Sequence, residues 1–132
     1  GRRLRNGRAC EEQRGEDECG PRPHTDSRRL CRYAAVLYLN PEVPDDCGTS
    51  FYRQRLPNGQ LGGNTVVGSH ATLVEALGTR FASPGAFVED VRIDHRFNRL
   101  LLYQANLIHS ATAYWGHELA EKRMTAVFFW MA

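Results

Sequence analysis

The chain has 132 residues, 42% hydrophobic and 24% charged, with a formal net charge of +2. That length and balance suit one compact domain with a moderate core. They argue against a dedicated nucleic-acid binder, which concentrates basic charge on one face, and no apolar stretch approaches membrane-spanning length, so neither nucleic acid nor membrane is an expected partner.

Residues 1–23 alternate arginines (Arg2, Arg3, Arg5, Arg8, Arg14, Arg22) with acids (Glu11, Glu12, Glu16, Asp17, Glu18) and carry almost nothing apolar. Such a segment cannot bury enough surface to offset its ordering entropy and is expected to be flexible. It is also charged where a secretory leader would be apolar. The cysteines (Cys10, Cys19, Cys31, Cys47) form no CxxC pair, so zinc-ribbon spacing is absent and thiols in a reducing, cytoplasmic setting are expected.

From His24 onward the pattern is that of short strands. "YAAVLYLN" (33–40) is apolar, aromatic and β-branched, stopped by Asn40-Pro41. "TSFYRQR" (49–55) follows a turn, and "LPNGQLGGN" is a Gly- and Asn-rich loop. "SHATLVEALGTR" (69–80) predicts a short helix, because Thr72 and Glu75 fit a capping box and Gly78 fits a stop. "FVEDVRI" (87–93) alternates as a strand, one more lies within "RLLLYQANLIH" (99–109), and "RMTAVFFWM" (123–131) is the last. Five short strands, one helix and many turns predict an all-β sandwich or barrel, with residues 54–92 as an insertion read either as surface elaboration or as a lid.

Three features carry chemistry. His24 and Asp26 stand two apart, so in extended backbone both side chains point the same way and can aim an imidazole and a carboxylate at one ion. Alone, this is a weak signal, and a solvated loop pair is its commoner meaning. His109 ends an apolar run and is the candidate third ligand, the alternative being a structural histidine. On the last strand Arg123 and Thr125 share a face. A buried arginine requires an anion, either an internal acid or a ligand carboxylate gripped by the guanidinium. Tyr38 reads as a core aromatic from its strand alone.

In order along the chain, "HTD" (24–26), "VLYLN" (36–40), "CGTSFYR" (47–53), "NRLLLYQANLIHSA" (98–111) and "RMTAVFFW" (123–130) resemble the 2-oxoglutarate- and Fe(II)-dependent oxygenases, in particular their prolyl-hydroxylase-like branch. The resemblance runs from about His24 to the C-terminus, interrupted over residues 54–92. It implies a double-stranded β-helix, or jelly-roll, with His24, Asp26 and His109 as a facial triad for Fe(II), a set that leaves positions open on the metal. It further implies that Arg123 anchors the distal carboxylate of 2-oxoglutarate, helped by Thr125 and Tyr38. Asn106, Ser110 and Arg53 are expected to support the site. Cosubstrate and O2 would be turned into succinate and CO2, with hydroxylation of a small molecule or of an amino-acid or peptidyl side chain.

The pattern also departs from the resemblance. Members of that superfamily carry further elements ahead of HxD, whereas only 23 residues precede His24 here. The expected jelly-roll is therefore incomplete, and a second copy of the chain is one expected way of covering the sheet. Two other functions stay open: an inert jelly-roll binding module, and a cupin-like metal enzyme that does not use 2-oxoglutarate. Arg123 with Thr125 separates them, since a cupin needs no carboxylate anchor.

Overall fold

The computed structural model describes residues 21–66, 68–79 and 82–131. The charged segment 1–20, with Cys10 and Cys19, lies outside the described residues. The fold is mainly β: strands β1 (Cys31–Tyr38), β2 (Gly48–Gln54), β3 (Phe87–Asp94), β4 (Leu100–Gln104), β5 (His109–Ala111) and β6 (Thr125–Met131), with one short helix, α1 (Leu73–Leu77). They form two antiparallel three-stranded sheets, ordered β4-β1-β6 and β3-β2-β5. No helix among the described residues is long and apolar enough to cross a membrane.

The alternation of β1 sets the layering. Ala34, Val36 and Tyr38 are buried on its inner face with Tyr103, Ala105 and Cys31, and Phe51, Leu101, Leu107 and Val127 pack against them from both sheets. A hydrogen bond of 2.7 Å between the hydroxyls of Tyr38 (β1) and Thr49 (β2) ties the sheets together through this core. Close approach of β2 to β3 depends on Gly48, where a Cβ would stand 2.1 Å from the Ile93 carbonyl oxygen.

The two outer faces differ. Over β3-β2-β5, Val66, Leu73 and Ile108 form a second buried cluster with Tyr52 and Phe87 packed on it, so residues of segment 55–86 cover the sheet. Strand β3 falls within 54–92 and belongs to the sheet itself. On β4-β1-β6 the outward rows of the register are Leu100, Leu37 and Ala126; Leu102, Ala35 and Phe128; Gln104, Tyr33 and Trp130. Leu102 is 58% exposed and Phe128 45%. This face is largely apolar and, apart from buried Ala35 and half-buried Leu37 and Ala126, bare among the described residues.

The expected helix and strands are present, with the run 99–109 divided differently. The helix stands where its capping signals put it: the Thr72 hydroxyl accepts from the Glu75 amide, and Gly78 closes the helix at φ +67°. The run 99–109, expected to hold one strand with His109 at its end, holds two. A turn closed by Leu107 N–H to the Gln104 carbonyl ends β4. The chain then crosses to the other sheet, where His109 opens β5 beside β2.

Candidate metal centre and anion anchor

His24, Asp26 and His109 come together at the edge of the β3-β2-β5 sheet. His24 pairs with His109 through two backbone hydrogen bonds of 2.9 Å, and the Asp26 amide donates to the Ala105 carbonyl at 2.9 Å. One donor atom from each of the three side chains lies within 4.8 Å of the other two. The His24 and His109 rings sit 4.4 Å apart between centroids.

The imidazoles are oriented by their far nitrogens. His24 Nδ1 donates to the Arg22 carbonyl at 2.8 Å, and His109 Nδ1 donates to the Leu107 carbonyl at 2.7 Å. A carbonyl only accepts, so each Nδ1 carries a proton and each Nε2 is the nitrogen left to face a metal. His109 is buried, and burial together with the neighbouring His24 lowers its pKa to about 3. It is thus neutral at pH 7, and its 3.7 Å approach to Asp26 is not a charged pair.

Asp26 carries the opposite stress. Burial raises its pKa, against a lowering influence of His24, and its Oδ2 is buried with no hydrogen-bond partner. A desolvated, unpaired carboxylate oxygen is costly. A divalent cation between it and the two Nε2 atoms would remove that cost, so the donor set fits a metal, and two imidazoles with one carboxylate fit Fe(II) chemistry.

Arg123 lies just before β6. Its Nε is buried without a hydrogen-bond partner, and among the described residues no carboxylate pairs with it. Among the described residues it thus lacks the internal acid that a buried arginine would ordinarily find, and burial pulls its pKa down. The guanidinium carbon stands 5.9 Å from the Tyr38 ring centroid, within cation–π range. Thr125 is the direct cross-strand partner of Tyr38 and so shares its face.

Several contributors escape a reading of the sequence. Asn40, expected only as a strand stop, brackets Arg123: its Nδ2 donates to the Lys122 carbonyl at 3.0 Å and its Oδ1 accepts from the Met124 amide at 2.7 Å. His95, without a partner at telling spacing in the sequence, donates from Nε2 to the Asn40 carbonyl at 3.0 Å and stacks on Tyr38 at 4.5 Å. Tyr103 is buried with its ring 4.7 Å from His109, and its phenol feels both the Asp26 carboxylate and the Arg123 guanidinium. Tyr103 also packs in one buried cluster with Tyr38, over whose ring Arg123 lies, so that cluster joins the two ends. An Asn preceding Pro is the only sequence signal that marks Asn40.

The expected supporting residues have other occupations. The Ser110 hydroxyl donates to the Ala111 carbonyl at 2.7 Å. Arg53 Nε donates to the Gly62 carbonyl at 2.9 Å, fastening the Gly-rich loop onto β2. Asn106 is half-buried and lines an open cleft of about 230 Å³ with Arg28, Cys31, Arg32, Tyr33 and Gln104. None of the three contacts a candidate ligand side chain.

The model of a family of unknown function, DUF6445, matches residues 19–129. The chain belongs to DUF6445. That span contains every candidate ligand and anchor, from His24 to Thr125. Comparison with curated proteins and with solved structures gives no match.

Proposed function

We propose that this DUF6445 chain is an Fe(II)- and 2-oxoglutarate-dependent oxygenase, and we read its two facing sheets as the jelly-roll of that superfamily. One observation supports it above the others: a two-histidine, one-carboxylate cluster stands beside Tyr103, which packs in one cluster with Tyr38 under Arg123, and among the described residues no carboxylate pairs with that arginine, whose Nε is buried. His24, Asp26 and His109 would hold the metal. When bound, Fe(II) supplies the site that activates O2 with oxidation of 2-oxoglutarate to succinate and CO2. The chain's own residues bind and orient. Arg123 offers a full charge and planar donors to a carboxylate, which suits a dicarboxylic acid better than a neutral ligand. Tyr38 and Thr49 share one hydroxyl–hydroxyl bond, so when Thr49 donates, the Tyr38 proton is free for a ligand oxygen. Phe51 and Tyr103 pack against His109 and keep water from its imidazole.

The test is anaerobic titration with Fe(II) and 2-oxoglutarate, followed through the weak visible charge-transfer band of the ternary complex. The band should appear with the wild-type chain and vanish with Asp26→Ala. No band with wild type sinks the reading. Band formation without succinate release in air would point instead to an inert binding module.

A further inference from the structure

The metal reading assigns no role to one large piece of the chain. This is Asn64–Val66 with Gly68–Glu75, whose Val66 and Leu73 cover the outer face of β3-β2-β5. Its contacts are concentrated on the two segments that carry the candidate ligands. Toward the first, the Leu73 amide donates to the Thr25 hydroxyl at 2.9 Å. The Arg28 amide donates to the Ala71 carbonyl at 3.2 Å, the Arg28 guanidinium bonds the Gly68 carbonyl, and Arg29 Nη2 donates to the Ser69 carbonyl at 3.0 Å. Toward the second, the Ile108 amide donates to the Asn64 carbonyl at 2.8 Å, and Thr65 bridges to Leu107.

Leu73 and Thr25 are the joint between them. Thr25 stands between His24 and Asp26, so extended backbone turns its side chain away from the site and toward this stretch. It is 7% exposed. The Leu73 side chain is buried in one cluster with Val66 and Ile108, and Ile108 is the residue before His109. One residue thus holds the neighbour of each ligand segment, by its amide on one side and its side chain on the other.

Resting on the reading of His24, Asp26 and His109 as metal ligands, we infer that residues 64–66 and 68–75 are a clamp that sets the separation of the two ligand segments, with Thr25 as its positioning residue. The need for one is plain in the fold. His24 and Asp26 lie outside the named strands, and their backbone ties to the sheet amount to the His24–His109 bridge and one bond to Ala105. A site must hold its ligands within about 0.5 Å to bind well, and partners that orient ligands are typically worth about 10–100-fold in metal affinity. The clamp and the metal are also linked reciprocally: what the clamp adds to metal binding, the metal returns to the clamp.

Anaerobic calorimetric titration with Co(II), as a stable stand-in for Fe(II), tests this on three chains. Thr25→Val keeps the shape and deletes the acceptor, and it should bind about 10–100-fold more weakly than wild type. Thr25→Ser restores the hydroxyl and should stay within about threefold. Once saturated with metal, Thr25→Val should bind 2-oxoglutarate as wild type does, a split that a generally loosened fold would not give. Should Thr25→Val fail to fold, hydrogen exchange on the wild type decides: saturating Co(II) should slow exchange at the amides of residues 68–75. A wild type that takes up no Co(II) overturns the metal reading and the clamp together. A wild type that binds while Thr25→Val binds equally, or while the 68–75 amides exchange unchanged, overturns the clamp alone.

Discussion

The two sheets carry the two halves of the proposed site under opposite conditions. The β3-β2-β5 sheet holds His109 and, through a backbone bridge, His24, and its outer face is buttressed by Val66 and Leu73. The β4-β1-β6 sheet holds Tyr38 and leads in from Arg123, and its outer face is bare among the described residues. On the first, ligands are aimed by backbone carbonyls behind each ring. On the second, an arginine is held by what brackets it: Asn40 on both neighbouring residues and the Tyr38 ring alongside. A metal site needs fixed geometry, whereas a carboxylate can be met by a charged fork on a longer arm. The difference in support follows that difference in need.

The comparison breaks most sharply at the ligands. Asp26→Ala or His109→Ala should abolish Fe(II) binding in anaerobic titration. Arg123→Ala should leave metal affinity within about threefold and weaken 2-oxoglutarate at least about tenfold, the scale of a lost charge-assisted bond. Equal losses of both ligands in every variant would mean that the halves do not work separately.

Acid should strain the metal half. His109 has a folded pKa of about 3 against an ordinary 6.5. As pH falls from 6.5 the unfolded chain takes up a proton that the folded chain refuses, so stability falls toward pH 3. The limit is roughly 4–5 kcal/mol, reduced by Asp26, whose raised pKa favours the folded state once it is protonated. Urea unfolding of the apo chain at about pH 7 and pH 5 should show wild type losing more stability than His109→Gln; parallel losses would remove His109 as the cause.

The buttressed and bare faces should also differ in stability. Leu73→Ala, under the clamp, should cost about 2–4 kcal/mol, whereas Leu102→Gln, on the bare face, should stay within about 0.5 kcal/mol. Arg123→Met should act in the opposite direction. Removing a partly buried charge that has no acid partner among the described residues should stabilise the apo chain by about 1–2 kcal/mol while 2-oxoglutarate binding is lost. Loss of stability instead would show that the Tyr38 contact outweighs desolvation.

What is legible in the sequence is local. The apolar, aromatic and β-branched runs around Val36 and Val127, and the Thr72–Glu75–Gly78 punctuation, report backbone preferences within a few residues, and the structure holds those elements. His24, Asp26 and His109 are legible as a group because spacing and order carry them, and the fold does bring them together. The division of residues 99–109 is not legible. Leu100 to Leu102 and Leu107 to Ile108 look alike as apolar runs, and only pairing with β1 in one case and β2 in the other separates them. Thr25 reads as a mere spacer in HxD because its partner, the Leu73 amide, is 48 residues away. Asn40 and His95 act through partners as distant, and no local pattern encodes such pairs.

The bare face of β4-β1-β6 has a thermal consequence. Leu100, Leu102 and Phe128 are already half hydrated in the folded chain, so unfolding wets less new apolar surface than the composition implies. Each ~100 Å² already wet removes roughly 45 cal/mol/K from the heat capacity of unfolding. The stability of this chain should vary less steeply with temperature than that of a fully covered domain of its length, and any body that seats on this face would steepen the curve.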